Sequence, residues 1–122
     1  MACNCGGNGE TNLLYACSGA ANTGSLADQV MRKLMRDKAG AGTCLTAVGA
    51  DLSGFVQSAR EATLNVVLDG CPVACGKKIF ESKKLPYVHV VMTDFGVEKG
   101  KTAITGELIE EVAVKVREKA GI

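Results

Sequence analysis

The sequence predicts an α/β fold: a three-layer sandwich with a mostly parallel sheet of about four strands and helices on both faces. Three observations lead there. Short apolar or β-branched runs alternate with amphipathic stretches from Leu13 onward. Glycine-bearing turns such as AGAG and GADLSG separate them. A chain of 122 residues is long enough for one buried core without disulfide staples.

Residues 1–12, MACNCGGNGETN, read as a flexible Cys- and Gly-rich head, and residues 13–122 as a single α/β domain. LLYA is the first strand, turned by CSGAANTGS. From Ser25 to Lys38, Leu26, Val30 and Leu34 with Met31 and Met35 recur at helical spacing, and Ser25 suits the N-cap. TCLTAV reads as a second strand, SGFVQSAREA as a short helix and TLNVVLDG as a third strand. A helix is expected from Pro72 to about Ser82, because proline suits the first helical position, where its missing N–H has no partner to lose. LPYVHVVMTDFG is the fourth strand and GVEKGKTAI a loop. The last helix, TGELIEEVAVKVREKAG, carries Leu108, Ile109, Val112 and Val116 as its apolar stripe and ends at Gly121. Arg117 and Lys119 suit its C-terminal dipole. No repeat, linker or second domain interrupts this order.

Composition excludes several function classes. With 14 basic against 13 acidic residues, no strong field points to nucleic acid or an anionic membrane. Few aromatics and no Trp offer no stacking platform for bases. No apolar run approaches the ~20 residues of a membrane span, and the head lacks the basic start, apolar centre and cleavage site of a signal peptide. A cytoplasmic protein is therefore expected. In a reducing compartment, six cysteines point to metal binding or thiol chemistry rather than structural disulfides. For any single one, a buried thiol acting as a small hydrophobe is the plainer alternative.

In such folds ligands sit outside the carboxyl ends of the strands. CSGAANTGS, DGCPVACGKK and TDFG end there. If Pro72 opens a helix, Cys71 is its N-cap and Cys75, four residues on, shares its face. A helix N-terminus favours thiolate over thiol, and Lys77 and Lys78 add to this if they fold back. Cys17 ends the first strand, so Cys17, Cys71 and Cys75 are expected to converge, and a fourth thiolate would complete tetrahedral sulfur coordination of zinc. Cys44 raises a geometric objection. As the start of a parallel strand it would lie ~13 Å from the rim at ~3.3 Å per residue, which favours a buried thiol on the sheet.

Cys3 and Cys5 read as oxidisable tail thiols, and His89, inside VHVVM, as a strand-interior histidine. Asp94 reads as a structural cap. Asp69 stands open between capping loop N–H groups, holding a partner of a ligand, and binding directly.

CSGAANTG, TCLTAVG, DGCPVACGKK and VMTDFGVEK resemble, in that order, the motifs of the DGC-domain family, read as zinc-binding from its cysteines. The likeness runs from about Leu13 to Lys101, and the family's naming triplet falls on Asp69-Gly70-Cys71. The resemblance implies zinc as cofactor, a metal ion as partner, and Cys17, Cys44, Cys71 and Cys75 as its ligands. It thereby promotes Cys44 against the strand geometry, and it names no pathway or protein partner.

Two other readings compete. A strand followed by Cys and a glycine-containing loop is similar to the phosphate loop of small tyrosine phosphatases and arsenate reductases, but Thr23 stands where their arginine grips the oxyanion. A dithiol enzyme using Cys71 and Cys75, or a nucleophilic Cys17, remains. So does a small-anion module built on GAANTGS and the helix after it.

Overall fold

Successive residues of a strand point to opposite faces of its sheet, and here both sets are apolar, so both faces need cover. The structure is a computed structural model that describes residues 11–122, so Cys3 and Cys5 and nearly all of the expected head lie outside it. Four parallel strands form the sheet in the order β2-β1-β3-β4: β1 (Asn12–Ala16), β2 (Ala41–Gly42), β3 (Leu64–Asp69) and β4 (Val88–Val91). Leu14, Ala16, Val66, Leu68 and Val90 face α1 (Asn22–Arg36) and α5 (Gly106–Ala120). Leu13, Tyr15 and Val67 face α2 (Leu45–Gly49), α3 (Ser53–Glu61) and α4 (Cys75–Ser82). Helices thus cover both faces of an all-parallel sheet, the expected three-layer sandwich.

The second face carries the aromatic part of the core. Phe80 meets Tyr15 edge-on at 4.8 Å between ring centroids. The Tyr15 hydroxyl is buried and donates to Asn65 Oδ1 at 2.9 Å. Burial pushes the Tyr15 phenol well above its usual range. α5 follows its sequence signals closely: Thr105 accepts the Leu108 N–H at 3.1 Å as N-cap, and Gly121 closes the helix in the left-handed region at φ +73°.

Four local expectations are corrected. TCLTAV is not a strand: β2 is only Ala41–Gly42, and Leu45 and Val48, three apart and both buried, belong to α2. A side chain at Gly42 would collide with the Met35 sulfur, so only a short edge strand fits beneath α1. α1 starts at Asn22 rather than Ser25, because Thr23 and Gly24 are buried in backbone contacts described below. α4 begins at Cys75 rather than Pro72, since Ala74 takes the left-handed conformation (φ 56°) and its N–H closes a turn onto Cys71 C=O at 3.1 Å. Beyond Val91 the fourth strand gives way to a 3-10 turn, Met92–Phe95, in which Asp94 is exposed.

Candidate functional site

The chain runs from β1 outward to β2 through α1, on one face, and from β3 outward to β4 through α4, on the other. The topological switch point therefore lies between β1 and β3, where the loops leaving the two strands diverge and open a crevice. Cys17 follows β1 and Gly70-Cys71 follows β3 at that point.

Parallel pairing sets the level of each residue. Ala16 is in register with Leu68, and the Cys17 N–H extends the ladder to Leu68 C=O at 3.0 Å. One residue on, Gly70 N–H donates to Cys17 Sγ at 3.3 Å. Gly70 has to be glycine for a steric reason. An added Cβ would stand 2.6 Å from Thr23 C and 2.7 Å from Gly24 N, so the loop after β3 lies directly on the backbone of the first turn of α1. Gly24 is equally close to Gly19, so CSGAANTG folds back on itself. Thr23, in the position where phosphatase loops carry arginine, is buried in this contact.

Asp69 answers the question the sequence left open. Its carboxylate, 1% exposed, accepts Gly76 N–H at 2.8 Å and Lys77 N–H at 3.0 Å, and lies 2.7 Å from His89 Nε2. It thus takes N–H groups of the first turn of α4, a turn the sequence reading reserved for a thiolate. His89, in register with Val67, lies on the face covered by α2, α3 and α4 and is held by this pair, as a strand histidine with a partner. Gly76 lets α4 approach the sheet: a Cβ there would sit 2.6 Å from Val67 Cγ1. Cys75 is consequently the first residue of α4, exposed, and not on a shared helical face with Cys71.

Cys44 lies at the rim. Thr43 N–H still bonds Leu14 C=O at 2.9 Å, and Cys44, the next residue, is the exposed N-cap of α2. The ~13 Å objection assumed a strand beginning at Cys44 and running onward at ~3.3 Å per residue; with β2 ending before it, the objection lapses.

Two residues at this rim were missed by sequence reasoning. Lys99 Nζ approaches Cys71 Sγ at 3.4 Å from the loop between the 3-10 turn and α5. Asn22 holds that loop with three hydrogen bonds: Nδ2 donates to Glu98 C=O (3.1 Å) and Thr102 C=O (2.9 Å), and Oδ1 accepts Gly100 N–H (2.7 Å). The available signal was TDFG, recognised as a rim segment, which places the residues just after it beside the cysteines.

Cys17, Cys44, Cys71 and Cys75 are all free thiols, the first and third half-buried, the others exposed. As donors they suit a soft or borderline ion such as zinc. Their placement is looser than their chemistry: among the described residues no group of three or more His, Cys, Asp or Glu side chains is arranged to hold a metal ion. Two rim cysteines adjoin left-handed non-glycine residues, Ser18 (φ 51°) after Cys17 and Ala74 before Cys75. Such positions store strain and cluster where loops carry function. Among the described residues no helix is long and apolar enough to cross a membrane.

A family model described as the DGC domain matches residues 13–116. The chain is also similar to the anaerobic and virulence modulator AnvM of Pseudomonas aeruginosa, 33% identical over 88 residues that cover 71% of this chain and 67% of that protein. No solved structure gives a significant match.

Proposed function

The chain belongs to the DGC-domain family, and from that premise we propose that it is a metal-binding domain with zinc as its ion and Cys17, Cys44, Cys71 and Cys75 as ligands. The observation that carries this reading is topological. All four cysteines among the described residues are free, and they leave the carboxyl ends of three adjacent strands, β2, β1 and β3. A core that merely used cysteine as a small apolar residue would bury them, whereas Cys44 and Cys75 are exposed.

Zinc bound by thiolates would tie the rim loops together and fix their charge. Four thiolates close the coordination shell, which favours a structural or carried ion; three leave a position for water or a ligand. The chain's own contribution is visible in the hydrogen bonds around the sulfurs: Gly70 N–H on Cys17, and Asp69 holding the turn that carries Cys75. Drawing four sulfurs onto one ion requires the loops that carry them to shift. The similar protein is named a modulator, and that likeness weighs toward a regulatory role for the bound ion.

A second reading has one specific observation in its favour. Lys99 beside Cys71 creates the electropositive surrounding typical of reactive thiols. On that reading Cys71 and Cys75 exchange between dithiol and disulfide. Metal content of untagged protein purified without chelator, beside a thiol count before and after denaturation, separates the two. About one zinc per chain, with thiols protected until chelation, supports the metal reading. Metal-free protein with one reducible pair supports the redox reading and overturns the first.

A further inference from the structure

The first N–H groups of a helix need acceptors from outside it. In α4 the Asp69 carboxylate supplies them, and in α5 the Thr105 side chain does. At the start of α1 nothing does. Its N-cap is Ala21, no acidic side chain stands in its first turn, and its first backbone bond runs from Ser25 N–H to Ala21 C=O at 3.0 Å. Among the described residues, the N–H groups of Asn22, Thr23 and Gly24 have no acceptor. Thr23 and Gly24 are buried, where an N–H without a partner is unfavourable. The helix dipole adds partial positive charge at the same point.

Thr23 supplies a second, independent observation. The residue is 1% exposed, and its hydroxyl has no hydrogen-bond partner among the described residues. Among those residues no fully buried polar side-chain atom lacks a partner, so the little surface that Thr23 keeps belongs to this hydroxyl. That surface opens on the switch-point crevice, because the loop after β3 lies on the Thr23 backbone at Gly70 and the loop after β1 folds onto Gly24 at Gly19. Packing alone would favour the isosteric valine, which has no polar atom to desolvate. The hydroxyl is a donor left for a ligand.

We propose that the start of α1 is a binding site for a small tetrahedral oxyanion, inorganic phosphate or a phosphate monoester, held by the N–H groups of Asn22, Thr23 and Gly24 and by the Thr23 hydroxyl. Three N–H donors, a hydroxyl and a helix dipole suit a ligand made of charged oxygens. The surroundings agree with this. Asn22 ties the loop of residues 98–102 to the helix start through three hydrogen bonds, which brings Lys99 and Lys101 to the same rim. The neighbouring carboxylates are already engaged. Glu98 pairs with Lys101 at 3.2 Å, and Asp28, further along α1, pairs with Arg32 at 2.8 Å and accepts the Ser18 hydroxyl at 3.0 Å. With a hydroxyl where phosphatase loops carry arginine, the site binds an oxyanion without the bidentate grip of those enzymes. None of its donors is a thiol, so it is independent of the zinc reading.

The test is amide NMR of the 15N-labelled full chain, titrated with sodium phosphate and, separately, with O-phosphoserine, against sodium chloride at matched ionic strength. The signals of Asn22, Thr23 and Gly24 are expected to shift with phosphate and saturate with one dissociation constant. Thr23→Val should weaken binding about ten-fold or more, as expected for one hydrogen bond to a charged group, and Thr23→Ser should restore most of it. Saturation by O-phosphoserine as well assigns the site to monoesters, and saturation by phosphate alone assigns it to the free ion. Shifts that never saturate, or that chloride reproduces, show ionic screening only and overturn the proposal. So does a saturating response centred on the α4 lysines, or a folded Thr23→Val that binds phosphate as tightly as wild type. The spectrum of each variant shows that it is folded; should Thr23→Val unfold, the wild-type response at Asn22, Thr23 and Gly24 decides alone.

Discussion

Asp69→Ala tests how the rim is held together. The carboxylate is 1% exposed, accepts two N–H groups at the start of α4, and pairs with His89. Hydrogen bonds to an ionised acceptor contribute roughly 1.5–3 kcal/mol each, and a buried donor left without a partner costs about 1–3 kcal/mol. Water can reach the half-exposed Lys77 N–H but not the buried Gly76 N–H. Removing the carboxylate also relieves its desolvation, which offsets part of the loss. The net expectation for Asp69→Ala is a destabilisation of about 3–4 kcal/mol by these figures. Asp69→Asn keeps one acceptor for Gly76 and a polar amide group beside His89, so it should lose only about 1–2 kcal/mol, chiefly the Lys77 bond. The assay is urea unfolding, with an unchanged slope confirming that native stability, and not compactness, has moved. At roughly 4 °C per kcal/mol for a domain of this size, the Tm of Asp69→Ala should fall by about 12–16 °C. A loss below about 1 kcal/mol in Asp69→Ala would refute the reasoning, because it would mean that these N–H groups find water and that Asp69 does not anchor α4.

Other consequences follow from the same contacts. Gly70→Ala places a methyl group 2.6 Å from Thr23 C, so a rim loop must move; we expect about 2 kcal/mol or more of destabilisation by thermal unfolding, with faster alkylation of Cys17. Tyr15→Phe deletes the buried bond to Asn65 Oδ1 and should cost about 1–2 kcal/mol in urea, since the amide oxygen loses its donor in the core. At the surface, the hydrogen bond from Lys33 holds the Asp37 carboxyl below its usual value of 3.8. A depressed carboxyl contributes stability above the unfolded value that is lost as pH falls through the folded one, so wild type should lose its advantage over Asp37→Asn below pH 3.8. Unfolding midpoints of both proteins across that range check it, and parallel curves would contradict it.

Period-based signals were legible and long-range ones were not. The apolar stripe of α5, with Thr105 before it and Gly121 after it, could be read directly, because caps and helical spacing are local properties. Strand β3 was equally plain, as a β-branched run ending in Asp-Gly. TCLTAV was misread because six mixed apolar and polar residues fit either period. The decision came from tertiary packing, Leu45 and Val48 both reaching the Tyr15–Phe80 cluster while α1 leaves room for only two strand residues. The resemblance promoted Cys44 as a ligand against the strand drawing, and the short β2 removes the geometric objection by placing Cys44 just after the strand. The start of α4 depended on Asp69 and the left-handed Ala74, and no proline rule at Pro72 reports on either. Lys99 and Asn22 could not be assigned, since each meets its partner only after the sheet has brought distant loops together.

The central claim is that four rim thiols serve one ion. The most direct measurement is cobalt(II) substitution followed by absorption spectroscopy, on wild type and on single serine variants of Cys17, Cys44, Cys71 and Cys75. The account predicts intense sulfur-to-cobalt charge-transfer bands with tetrahedral ligand-field bands at one cobalt per chain, displaced by zinc and weakened in every variant. A weak spectrum of the octahedral, oxygen-ligated kind, or a thiolate spectrum indifferent to Cys17 and Cys44, would contradict it.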